Sequence, residues 1–204
     1  MAVPETPALL VVDVQNDFCP GGALPVPDGD AVVPPLNGYI QAFRKAGAPV
    51  FASRDWHPPE TRHFRERGGP WPPHCVQGTD GAAFHPDLRL DDAVVITKGD
   101  DPGDHGYSAF EGHDPAGRSF REVLRDRDVH RLYVGGLATD YCVRASVLDA
   151  RRAGLDVVVL QDAIRGIDAE PGDVDGAMAE MQAAGATRGT MEDVERQIGT
   201  GGSL

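Results

Sequence analysis

Ala8-Leu9-Leu10-Val11-Val12-Asp13-Val14 is an apolar, valine-rich run with an acid near its end. A short apolar run without alternation predicts a strand buried on both faces, as in a parallel sheet, with Asp13 near its carboxyl end. Pro20-Gly21-Gly22 marks a turn beyond it, and Ala31–Ala46 predicts a helix whose Pro34 and Pro35 fall near the start, where proline is tolerated. Ala48–Ser53 is the second predicted strand and opens into Arg54-Asp55-Trp56-His57. Residues 58–92, rich in Pro, Gly and His, predict a long loop, and loops of that length commonly carry function.

The alternation continues with strands at Ala93–Thr97, Val129–Gly135 and Leu155–Leu160, and a weak sixth at Gly185–Gly189. Helices are predicted over Ser119–Arg127, 141–153, Val174–Ala184 and Met191–Ile198, and the loop 99–117 holds a short turn at Ser108–Glu111. The fold class is therefore α/β, a three-layer α/β/α sandwich around a mostly parallel, about six-stranded sheet. No change of composition divides the chain, so residues 1–204 read as a single catalytic domain with 1–7 and 199–204 as loose ends.

A net charge of −13 disfavours nucleic acid or an anionic membrane surface as partner. Cys19, Cys75 and Cys142 are too few and odd in number for a disulfide framework. With no secretory leader and no run of membrane-spanning length, the expected setting is cytoplasmic. Association into a homo-oligomer depends on surface patches that the sequence does not locate.

Ligands of open parallel sheets bind beyond the carboxyl ends of the strands. Asp13, Asp55 with His57, Lys98 and Cys142 each follow a different predicted strand at that end. Only Lys45 and Lys98 are lysines among 19 basic residues, and a lysine is tuned by burial where an arginine is not. Cys142, near the start of a predicted helix, reads as a nucleophile whose thiolate the helix end would favour. The bland alternative is a small core residue. Asp13 would move the proton, with Lys98 beside both; the plainer alternatives are a turn cap at Asp13 and a surface position for Lys98.

Asp55, His57, His63 and His74 supply one carboxylate and three imidazoles within twenty residues. That oxygen–nitrogen set suits one divalent Zn, Fe or Mn ion, with Cys75 a weaker candidate ligand, unless the histidines are simply polar surface. Phe18, Trp71 and Tyr107 are aromatics in polar loops, able to enclose a flat ring or to anchor their loops. No GxGxxG follows the first strand, which disfavours a dinucleotide-binding fold.

These segments bring a family into view. VVDVQNDFCPGGAL (11–24), SRDWHP (53–58), WPPHCVQGTDGAAFHPDL (71–88), TKG (97–99), YSAFEG (107–112) and VGGLATDYCVRASVLDA (134–150) resemble the nicotinamidases, also called pyrazinamidases, of the isochorismatase-like cysteine hydrolases. The resemblance implies a catalytic triad of Asp13, Lys98 and Cys142. It implies metal ligation by Asp55, His57 and His74, and by His63 as in some members. Phe18 and Trp71 match the walls of a nicotinamide pocket to which Leu137 and Tyr141 also belong. Leu137-Ala138 matches a cis peptide that would aim the Ala138 and Cys142 amides at an oxyanion. Tyr141 stands where some relatives carry histidine. The implied reaction is metal-dependent hydrolysis of nicotinamide to nicotinate and ammonia in NAD salvage, through a thioester on Cys142, with pyrazinamide a second substrate. The alternatives are an amidase for another small amide and a catalytically silent metal-binding protein.

Overall fold

A computed structural model describes residues 6–199. Its six strands are β1 (Thr6–Val12), β2 (Val50–Asp55), β3 (Val94–Lys98), β4 (Val129–Leu137), β5 (Asp156–Arg165) and β6 (Thr187–Gly189). They form one sheet in the order β3-β2-β1-β4-β5-β6, and every strand pair in it is parallel. The helices are α1 (Val33–Lys45), α2 (Phe120–Asp126), α3 (Arg144–Arg152), α4 (Asp173–Ala183) and α5 (Met191–Gly199).

β1 explains the layering. Its side chains alternate, so Leu9 and Val11 join a core with Leu36, Tyr39, Ile40 and Phe43 of α1 and Val194 of α5. Ala8, Leu10 and Val12 join the opposite core with Phe120 and Val123 of α2, Val147 and Ala150 of α3, and Met178 and Met181 of α4. Both faces are thus covered, which is why the strand reads as continuous apolar sequence. Each fully buried Leu or Val contributes about 1.5–3 kcal/mol of transfer free energy. The three-layer α/β/α architecture agrees with expectation.

The differences have local causes. Thr6 and Pro7, expected in a loose lead-in, already pair with Val129 and Arg131 of β4. The remaining expected loose-end residues lie outside the described ones, except Gly199, which closes α5. A 3-10 turn (Gly29–Val32) precedes α1, so the helix starts at Val33, with its two prolines where N–H groups have no intrahelical partner. Asp13 lies just beyond β1, with a left-handed φ of 48°. β5 runs on past Leu160 to Arg165, and its pairing with β4 shifts register between Val134 and Gly136. The helix expected over 141–153 is a π-helical turn (Thr139–Val143) followed by α3.

Strand order reverses at β1. The chain passes outward through β2 to β3, then returns to lay β4 against the other side of β1. A crevice opens beyond the carboxyl ends of such a pair. Val12 faces Ser53 of β2 and Gly136 of β4, and Asp55 faces Lys98 across β2 and β3.

Candidate active site and metal centre

The backbone turns at Asp13 as β1 ends, and its carboxylate is fully buried. Ser53 Oγ donates to Asp13 Oδ1 at 2.6 Å, and Lys98 Nζ lies 2.8 Å from Oδ2. Lys98, the last residue of β3, is also fully buried, and its ammonium reaches Asp55 Oδ1, the Gly106 carbonyl and, at 3.7 Å, Cys142 Sγ. Glu111, in a capping box with Ser108, accepts from the Gly106 N–H, so both backbone polar groups of Gly106 are held. Donor atoms of Asp13, Asp55 and Cys142 lie within 4.8 Å of one another. The three expected catalytic groups therefore meet around one ammonium.

Burial dominates the electrostatics. It would lower the pKa of Lys98, but Asp13 and Asp55 outweigh it and hold the amine well above its ordinary value. Burial raises Asp13 above the usual carboxylate value, against the opposing pull of Lys98. Burial also pushes the Cys142 thiol well above its ordinary value, with Lys98 opposing and Asp13 and Asp55 adding to the rise. Desolvation thus works against the thiolate that a helix start would favour. Cys142 sits in the π turn, ahead of α3. Burial opposes the charged form of both Cys142 and Asp13, and Lys98 favours it.

The metal candidates converge on the other side of Asp55. One ring nitrogen from each of His57, His63 and His74 falls within 4.8 Å of the others, and all three histidines are buried. Asp55 Oδ2 lies 3.6 Å from His57 Nε2 and 3.9 Å from His74 Nε2. The Gly99 carbonyl meets His57 Nδ1 at 3.0 Å and the Pro72 carbonyl meets His74 Nδ1 at 2.8 Å, which orients Nε2 of each ring toward the cluster. A Cβ on Gly99 would overlap the His57 ring, and its φ is +66°, so glycine is required there. Buried His57 Nε2 and His63 Nδ1 have no hydrogen-bond partner. Burial first, then His57 and His74, push His63 down to about 3, and burial also lowers His74. Buried ring nitrogens without partners beside a carboxylate fit a divalent cation. Asp55 itself is held below its usual value, because Lys98 and the histidines outweigh burial. Among the described residues Cys75 belongs to no such ligand cluster, although it is buried next to His74.

A narrow cavity, open to solvent, is lined by Cys142 from the one group and by Asp55, His63 and His74 from the other. Phe18, Trp71, Tyr107 and Tyr141, the aromatics expected around a ring, line it together with Ala138. Trp71 Nε1 donates to Tyr107 Oη at 2.9 Å, and the Trp71 and Tyr141 rings meet edge to face at 5.0 Å. Leu137 is not among the lining residues. It is fully buried in the core with α1, because it still belongs to β4. The Leu137-Ala138 peptide is cis. Leu24, His105, Gly106 and Ile167 also line the cavity and were not legible in the sequence. Ile167 belongs to the segment after β5, whose N–H groups at Ile167 and Asp168 donate to buried Asp140. Nothing local in the sequence marks that fold-back.

The match to an Isochorismatase domain over residues 7–193 establishes that the chain belongs to the isochorismatase family. Within it, the chain is 43% identical to a nicotinamidase of Escherichia coli, over 94% of this chain and 98% of that protein. It is 41% identical to a nicotinamidase/pyrazinamidase of Mycobacterium tuberculosis, over 87% of this chain and 95% of that one. The crystal structure of the pyrazinamidase of Pyrococcus horikoshii in complex with zinc superposes with a TM-score of 0.83 at 48% identity, covering 91% of this chain and 99% of that one.

Proposed function

We propose that this chain is a nicotinamidase, hydrolysing nicotinamide to nicotinate and ammonia, with pyrazinamide as a second substrate. One observation carries the reading: the Lys98 ammonium lies 2.8 Å from Asp13 and 3.7 Å from Cys142 Sγ, and Cys142 lines a cavity together with Asp55, His63 and His74 of the imidazole cluster. The nicotinamidases similar to this chain over most of its length support the substrate. Asp55, His57, His63 and His74 would hold one divalent ion, which when bound supplies a Lewis-acidic position for the ring nitrogen.

Phe18, Trp71 and Tyr141 enclose the ring and turn its carboxamide toward Cys142. Asp13 takes the thiol proton, and Lys98 keeps the negative charge shared between carboxylate and sulfur favourable during transfer. Sulfur attacks the amide carbon, and the Ala138 and Cys142 N–H groups hold the oxyanion. The carbon–nitrogen bond breaks, ammonia leaves with the proton returned by Asp13, and a thioester remains. Asp13 then deprotonates water, which attacks the thioester. The carbon–sulfur bond breaks, and the proton returns to sulfur as nicotinate departs. Three unpaired cysteines support a cytoplasmic setting.

Steady-state ammonia release from nicotinamide by metal-replete protein tests the reading. Turnover is expected, and benzamide, which lacks the ring nitrogen, should be a far poorer substrate. Equal rates on both amides would overturn the role given to the metal centre.

A further inference from the structure

We propose that Gln15 and Asp17 are positioning residues that build the metal centre, through the backbone of its ligands rather than their side chains. This rests on the metal reading of Asp55, His57, His63 and His74. After β1 the chain continues Asp13-Val14-Gln15-Asn16-Asp17, and the side chains at 13, 15 and 17 do different work. Asp13 faces Lys98, whereas the other two reach into the segments that carry the imidazoles and Asp55.

Gln15 is fully buried. Its Oε1 accepts from the Asp55 N–H at 2.8 Å, while its Nε2 donates to the Asp55 carbonyl at 2.8 Å and to the Ala82 carbonyl at 2.9 Å. Both backbone groups of Asp55 are therefore held by one amide, at the residue where β2 ends and beyond the last of its pairs with β1. Asp17 closes the other half. Its Oδ1 accepts from the Ala23 N–H at 3.0 Å, and its Oδ2 from the Cys75 N–H at 2.7 Å. The Cys75 N–H shares a peptide with His74, and the Cys75 carbonyl accepts from the His57 N–H at 2.9 Å. Cys75 itself has a left-handed φ of 45°, so this peptide needs an outside partner to stay oriented. Glycine at position 81 leaves room for the arrangement, since a Cβ there would overlap the Asp17 carboxylate. Asp55, His57 and His74 are thereby tied to one short segment, while the His63 N–H is held separately by Thr61 Oγ1 at 3.3 Å.

Outer groups that orient ligands are worth about 10–100-fold in metal affinity. The test is a titration of metal-free protein with Co²⁺ alone, reading affinity by chelator competition and ligand geometry by the visible absorption of the bound ion. Gln15→Met, Asp17→Asn and Gly81→Ala should each weaken Co²⁺ binding by about 10–100-fold and change the absorption envelope. Gly81→Ala does so by displacing the Asp17 carboxylate, with both residues left unsubstituted. Melting of the metal-free variants reports folding separately, and if Gln15→Met does not fold, the other two decide. Lower melting temperatures with wild-type affinity and spectrum would reduce both residues to structural roles and overturn the inference. Wild-type protein that takes up no Co²⁺ would overturn the metal reading itself, and this inference with it.

Discussion

At the residue scale the site is a set of charges whose burial decides their states. A buried thiol and a buried carboxylate are both pushed toward their neutral forms, and the Lys98 ammonium, with the Ser53 hydroxyl on Asp13, makes one shared negative charge tolerable. Cys142→Ala removes the nucleophile but none of the candidate metal ligands. Turnover should fall by about 10⁴-fold or more, with metal content by elemental analysis unchanged. His57→Ala deletes a ring already oriented by Gly99, so metal content should fall and the apparent KM for nicotinamide rise by at least about tenfold. Full metal retention in that variant would remove His57 from the ligand set. The residues bearing these reactive groups were legible because acids, histidines, a rare lysine and a cysteine stand at the ends of apolar runs. Gln15 and Asp17 sat in the same segment yet carried no signal of their own, since amides and acids after a strand are ordinary turn residues.

At the element scale the decisive contact is β1 against β4. Asp13 and Cys142 are far apart in sequence, and the pairing of Val12 with Gly136 makes them neighbours. Gly136 has a φ of +119°, and a Cβ there would overlap the Val12 backbone. Gly136→Ala should therefore destabilise the protein by about 2–4 kcal/mol in urea unfolding, and any folded fraction should turn over more slowly. A change below about 0.5 kcal/mol would mean that the two strands separate without cost. Helix ends show the reverse case, in which local chemistry suffices. Ser119 and Glu122 form a capping box that starts α2 beside the residue where the sequence predicts the helix to begin. The π turn at Thr139–Val143 was not legible, because its residues have no periodicity distinct from the helix that follows.

At the scale of the whole molecule, carboxylates far from the cavity join Asp55 in setting acid stability. The backbone N–H of Arg118, then its guanidinium, holds buried Asp114 below its usual value. Ser119 does the same for Glu122, and Thr190 for Asp193. A carboxylate with a depressed folded pKa stabilises the fold above its unfolded value, near 4, and loses that contribution as pH falls through the folded value. The melting temperature should therefore drop steeply between about pH 4 and pH 2. Asp114→Asn should melt lower at pH 7 and decline less steeply in acid. Parallel melting curves of wild type and variant across that range would contradict the linkage. Sequence alone determined the alternation of strands and helices and the end of the sheet on which the reactive residues lie, because burial on two faces and strand polarity are written in local composition. It also placed the matching motifs on the residues of one family. Only the tertiary structure decided the strand order that opens the crevice between β1 and β4, the desolvation that raises the Cys142 thiol pKa, and the hold of Gln15 and Asp17 on Asp55 and Cys75. These are properties of distance and dielectric between segments that the chain order keeps apart.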